Sequence, residues 1–90
     1  MAKIVIKHLS EEEIKKKGIR EWSIWEKEQS IFPWVYSTEE ECYILEGKIE
    51  VTDKEGNVYK IKENDFVVFP KGLECTWKIT EPVKKYYNFS

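Results

Sequence analysis

The sequence predicts an all-β domain, a barrel or sandwich of short antiparallel strands preceded by one short helix. Three observations carry this expectation. Beyond Gly18 the apolar residues recur with a period of two rather than 3.6. Turn signals interrupt that pattern at short spacing, the clearest being Asp53-Lys54-Glu55-Gly56-Asn57. Finally, 90 residues carry 13 aromatics against 4 Gly and 3 Pro, with 41% hydrophobic residues, the mark of an ordered, aromatic-rich core rather than a disordered chain. Ninety residues make one domain, because a second module would leave each half too small to bury its own core. Residues 1–90 are therefore read as one domain, with 1–20 an N-terminal strand and helical strap and 21–90 the barrel.

Residues 3–9 are β-branched and predict a strand. Ser10 then opens the helix: it can cap the free N–H groups while Glu13 reaches back to it, and Leu9 and Ile14 stand where a hydrophobic staple needs them. Glu11, Glu12 and Glu13 precede Lys15, Lys16 and Lys17 at i,i+4 spacing, in the order the helix dipole favours, and Gly18 supplies a left-handed stop. With Ile14 as its apolar residue, this two-turn helix is expected to lie on the outside as a strap. The strands after it are predicted at 21–27, 30–37, 40–46, 48–53, 58–63, 66–70, 74–80 and 84–89. In the hairpin joining 48–53 to 58–63, Ile49, Val51, Tyr59 and Ile61 face inward and the charged residues outward. Cys42 to Leu45 and Phe66 to Phe69 are apolar on both faces, so their outer side needs a cover, either the N-terminal strap or a second subunit. A homodimer is expected on this ground.

Composition also excludes several classes of partner. Fifteen Lys and Arg against 17 Asp and Glu give a net charge of −2, with bases scattered among acids, so neither nucleic acid nor an anionic membrane surface is expected. The longest apolar runs are four residues and the N-terminus is short and charged, which argues against a membrane span or a secretion signal and for a cytoplasmic protein. Cys42 and Cys75 are then expected to be free thiols. Fourteen of the bases are Lys and 15 of the acids are Glu, an enrichment of the kind found in hyperthermophile proteins.

Two stretches together resemble a known family. Residues 40–47, Glu-Glu-Cys-Tyr-Ile-Leu-Glu-Gly, are similar to the end of the first cupin motif, a carboxylate followed after six residues by Gly. Residues 64–79, Asn-Asp-Phe-Val-Val-Phe-Pro-Lys-Gly-Leu-Glu-Cys-Thr-Trp-Lys-Ile, are similar to the second, Gly-x5-Pro-x-Gly-x2-His-x3-Asn. Within the cupins, Cys-Tyr-Ile-Leu-Glu-Gly, Val-Phe-Pro-Lys-Gly-Leu and Cys-Thr-Trp resemble the small single-domain members grouped with (S)-ureidoglycine aminohydrolase, in a thermophilic bacterium. The resemblance implies a cupin-type antiparallel β-barrel or jelly roll whose interior holds a ligand. It also implies a divalent metal on three imidazoles and a carboxylate. Here the carboxylate is Glu40, the first histidine pair falls on Trp34 and Tyr36, and the histidine of the second motif falls on Cys75. The one histidine, His8, corresponds to no motif position, so the usual metal triad is absent and Glu40 would be a ligand only if some other metal site exists. Asn64 stands where the motif has Gly and Ile79 where it has Asn.

A period of two puts Phe32, Trp34 and Tyr36 on one face, Glu40, Cys42 and Ile44 on another, and Cys75, Trp77 and Ile79 on a third. If these faces point inward they meet in one cavity. Glu40, Tyr36 and Cys75 are then the candidate catalytic groups, and Trp34, Trp77 and Phe32 the candidate substrate-binding walls. Against this, Glu39, Glu40 and Glu41 could form a solvated loop, the tryptophans could simply fill the core, and Cys75 could be a small buried thiol, active only with a nearby cation such as Lys84 or Lys85. Cys42 is read as core and His8 as surface. Trp22 and Trp25 fall on opposite faces of one strand, so at most one can reach the cavity. Three function classes stay open: an enzyme acting on a small nitrogenous or carbonyl compound, a non-catalytic sensor or binding module, and a structural dimerising domain.

Overall fold

Local signals shape the N-terminal strap. In the computed structural model, which describes residues 3–89, helix α1 (Glu11–Lys17) begins with a complete capping box. Glu13 N–H donates to the Ser10 hydroxyl at 3.2 Å, and Ser10 N–H donates to the Glu13 carboxylate at 3.0 Å. Residues 1, 2 and 90 of the predicted domain lie outside the described set. Gly18 ends the helix at φ +65°. Of the three anticipated i,i+4 pairs, Lys16 approaches Glu12 at 3.8 Å, whereas Glu11 pairs bidentately with Arg20 at 2.5 and 2.8 Å. A 3₁₀ turn at Ile19–Glu21, absent from the sequence expectation, follows Gly18, and it delays the next strand by two residues.

Seven strands follow the order β1 (Val5–Lys7), β2 (Ser23–Lys27), β3 (Ser30–Val35), β4 (Glu40–Asp53), β5 (Val58–Lys62), β6 (Phe66–Phe69) and β7 (Glu74–Phe89). All the pairings are antiparallel: the path runs β1-β6-β4-β7-β2, with β3 added to β7 and β5 to β4. This is the antiparallel all-β architecture with one short helix that the sequence predicts. Where the sequence suggested separate strands at 40–46 and 48–53, and again at 74–80 and 84–89, the structure has one long strand each. The interruption at Gly47 changes register, not direction: the β4–β7 ladder slips between Ile44 and Ile49. Gly47 sits at φ +105°, and a Cβ there would lie 2.4 Å from the Pro82 carbonyl oxygen, so the two long strands cross where only glycine fits.

The hairpin between β4 and β5 forms as its sequence predicts. Asp53 Oδ1 accepts the N–H groups of Glu55 and Asn57, Gly56 takes φ +89°, and Ile49 and Ile61 pair as buried neighbours. Asn64 carries the left-handed φ of +72° that the motif's glycine would carry. The doubly apolar strands are covered within the chain: Ile14 and Ile19 of the strap pack on Phe66, with Leu9, Trp22, Tyr43 and Tyr86 around them. Trp22 thus lies under the strap while Trp25 goes to the other face. His8 is exposed, yet its ring bonds the buried Asp65 carboxylate at 2.8 Å, tying the N-terminal segment to the turn before β6. Among the described residues no helix is long and apolar enough to cross a membrane.

Candidate functional site

The inward faces of β2, β3, β4 and β7 enclose a cavity of about 170 Å³, lined by aromatic side chains around one carboxylate and one amine. Strand register explains the lining. Phe32 lies opposite Trp77, and Trp25 lies opposite Lys85, so both edges of β7 contribute a ring to the same space. Tyr36, just beyond β3, is fixed by backbone bonds to the Pro70-Lys71-Gly72-Leu73 turn: its N–H donates to Leu73 O at 2.9 Å and its carbonyl accepts Gly72 N–H at 2.7 Å. The Pro-x-Gly of the second motif therefore serves as a clamp on the first motif's neighbour.

The rings form a continuous wall. Tyr36 stacks on Phe69 at 5.0 Å, Phe69 meets Trp77 at 5.6 Å, Trp77 stacks on Phe32 at 5.9 Å, and Trp25 meets Trp77 edge-on at 6.0 Å. Contacts of this kind add about 0.5–1.5 kcal/mol each beyond area burial. Trp34 and Phe89 line the cavity while remaining 47% and 48% exposed, so they stand at its mouth. The indole N–H of Trp77 is buried with no hydrogen-bond partner.

At the polar centre, Lys85 Nζ lies 2.9 Å from Glu40 Oε2, with Lys85 5% and Glu40 3% exposed. The ammonium also faces three rings, with centroids at 4.7 Å (Trp77), 4.9 Å (Trp25) and 6.0 Å (Tyr87). Burial, then the Glu40 carboxylate beside it, pushes the Tyr36 phenol well above its usual range, so Tyr36 stays a hydroxyl at any ordinary pH.

Most of the residues singled out from the sequence meet here: Phe32, Trp34, Tyr36, Glu40 and Trp77 all line the cavity, and Glu40 is buried rather than part of a solvated loop. Cys75 does not line it. Its thiol points at the Trp34 carbonyl oxygen, 3.7 Å away, and burial followed by the charges of Asp53 and Glu40 raises it to about 11. The cation considered for it, Lys85, acts instead on Cys42, which is raised to about 12, chiefly by burial, even though Lys85 pulls it down. Lys85, Trp25, Tyr87 and Phe89 complete the lining beyond the residues predicted. The signal for three of them was present: alternation on Cys75, Trp77 and Ile79 continues in the same parity through Val83, Lys85, Tyr87 and Phe89.

The thiols give a direct check. Both are raised from an ordinary 9.0, so at pH 8 Cys75 holds about a hundredfold less thiolate than an unfolded thiol. Iodoacetamide labelling of Cys75 is therefore expected to be about a hundredfold slower in native protein than in denaturant. Equal rates would mean that Cys75 is an accessible nucleophile. Stability should follow with the same sign, complete below pH 9 and declining as the pH rises through 11 and 12, because the unfolded chain ionises first.

The metal that the cupin motifs imply does not fit this donor set. The Glu40 oxygen that would bind it already faces the Lys85 ammonium, and indole and phenol stand at Trp34 and Tyr36 in place of imidazole. The Cys75 thiol lies outside the cavity lining and faces the Trp34 carbonyl oxygen. Among the described residues no three His, Cys, Asp or Glu side chains are grouped to hold an ion.

Comparison with known proteins agrees with the barrel. Residues 14–87 match the EutQ-like cupin domain. A DUF861-family protein from the thermophile Thermotoga maritima is 50% identical, with a TM-score of 0.96 over 98% of this chain and 100% of that one. A putative ethanolamine utilization protein Q from Salmonella typhimurium (21% identity, TM-score 0.67, 96% of this chain and 68% of that one) shares the fold. So does the Clostridium difficile EutQ protein (14%, 0.68, 98% and 68%). No curated protein is significantly similar to the chain. With most of its length matched to that domain and a half-identical structure spanning nearly all of it, the chain belongs to the EutQ-like cupin family.

Proposed function

We propose that this cupin binds a small planar metabolite in its aromatic cavity and recognises it through the Glu40–Lys85 pair, without a metal. The observation that carries the reading is a buried carboxylate and amine, 2.9 Å apart, facing a ring-lined space that opens past Trp34 and Phe89. Pockets of this type combine apolar walls with a few convergent polar groups that fix orientation. A cavity of about 170 Å³ has room for a group roughly the size of benzene, for which an engineered cavity of about 150 Å³ suffices in another protein. The ligand class is a nitrogenous or carbonyl compound: an amide or ureido group presents N–H donors to Glu40 and a C=O acceptor to Lys85 or to the unpartnered Trp77 N–H. The motif likeness to (S)-ureidoglycine aminohydrolase cupins supports the same class, and an aminohydrolase-like reaction is the catalytic form of this reading.

A thermal-shift screen of small amides, ureides and keto compounds tests it. A ligand at 100 times its dissociation constant should stabilise by about 2.7 kcal/mol, on the order of 10 °C or more for a domain of this size. A chelator should leave the melting temperature of the purified protein unchanged. A chelator-sensitive melting curve would argue for a metal centre, and a flat screen for a purely structural domain.

A further inference from the structure

Lys85 combines three properties that no other lysine shares among the described residues: it is buried, it lines the cavity, and its amine touches a buried carboxylate. The remaining described lysines lie outside the cavity lining, and Lys84, next to it in sequence, takes the opposite face of β7. A lysine amine desolvated in an apolar pocket is the setting in which Schiff-base lysines form, and Glu40 at 2.9 Å is placed to accept its proton. We propose that Lys85 is an imine-forming amine, and that the cavity captures a small aldehyde or ketone whose carbonyl carbon condenses with Lys85 Nζ. This rests on the ligand-binding reading above and narrows its ligand class to reactive carbonyl compounds.

The chemistry balances with the groups present. The Lys85 ammonium gives one proton to Glu40, and the freed amine attacks the carbonyl carbon. A further amine proton passes to the carbonyl oxygen, giving a carbinolamine. Glu40 then returns its proton to the carbinolamine hydroxyl, which leaves as water while the nitrogen lone pair forms the C=N bond. The sum is an ammonium plus a carbonyl going to an iminium plus water, with no redox change. Charge is conserved as well: the iminium is as positive as the ammonium it replaces, so it keeps both the Glu40 counter-ion and the faces of Trp25 and Trp77.

Reductive trapping tests the proposal. The wild-type protein is incubated at neutral pH with butanone or pyruvate and cyanoborohydride, and the alkylated lysines are mapped by peptide mass spectrometry. Exposed lysines such as Lys54 and Lys78 serve as internal references. Lys85 is expected to be alkylated at least tenfold faster than any of them. In parallel, tryptophan fluorescence reads the binding of propionamide and oxamate, which match the two probes in shape but form no imine. If the amides bind and Lys85 reacts no faster than the references, the imine proposal is overturned while the ligand-binding reading stands. If neither amide nor carbonyl compound perturbs the fluorescence and Lys85 is unlabelled, both fall. Lys85→Arg has no primary amine, so the adduct should disappear from that peptide while the reference lysines are labelled as in wild type. If that variant does not fold, the wild-type peptide map decides alone.

Discussion

Replacing Lys85 with methionine is expected to destabilise the domain by about 3–5 kcal/mol, the usual cost of leaving one partner of a buried ion pair uncompensated. In a domain of 60–100 residues that is a fall in melting temperature on the order of 15–25 °C. The size of the effect follows from the surroundings: Glu40 is 3% exposed, its ion-pair partner is Lys85, and without that ammonium the Tyr36 hydroxyl beside it is a neutral donor that leaves the charge uncompensated. Glu40→Gln should cost less, because the Lys85 ammonium keeps the faces of Trp25 and Trp77. The double change Glu40→Gln with Lys85→Met should recover much of the loss, since both buried charges disappear together. Urea denaturation of the four proteins closes the cycle. A Lys85→Met protein within 1 kcal/mol of wild type would show that the pair is solvated and would remove the main support for its role in recognition.

The second large effect is Gly47→Ala. A methyl group at this position would stand 2.4 Å from Pro82 O and 2.8 Å from Val83 Cα, both backbone atoms that cannot rotate away, and φ +105° is already unfavourable for any L side chain. Overpacking and backbone strain together should cost about 3 kcal/mol or more. The change should also move Val83 and Lys85 on the cavity side of β7, so that ligand-dependent stabilisation is lost along with stability. Gly72→Ala is the control: a Cβ there has open space, leaving the strain of φ +87° alone and a smaller loss. If the two variants melt together, the close approach of β4 and β7 at Gly47 is not a constraint.

Much of this molecule could be read from neighbouring residues. The capping box at Ser10 and Glu13, the Asp53–Asn57 turn and the alternation through Phe32, Trp34 and Tyr36 depend on spacings of two to four, which a single sequence displays. Glu40 was legible in another way, by its position in the stretch that resembles the first cupin motif, since its local context of three consecutive glutamates reads equally as a solvated loop. What was hidden depends on distance along the chain. The cation facing Glu40 is 45 residues away, and only the pairing of β4 with β7 brings it in. The facing of Lys85 was obscured by Glu81-Pro82, which looked like a break between strands when it is a change of register within one. Cys75 shows the opposite error: its inward parity was right, but the pairing Trp34–Cys75 puts the thiol under a backbone carbonyl, outside the space the rings enclose.

Strand β7 pairs with β2, β3 and β4, which orders events during folding. The β4–β5 hairpin can form early, because a five-residue turn joins its halves. The barrel cannot close until residues 74–89 have been synthesised, and every one of their ladders spans a long loop, so closure should be slow and governed by loop entropy. In that interval Glu40 waits without Lys85, whereas the doubly apolar Phe66–Phe69 segment finds its strand partners, β1 and β4, already made. The helix, whose capping signals all lie within residues 10–18, is made before that segment, so the side chain that covers Phe66, Ile14, is on the chain before Phe66 itself.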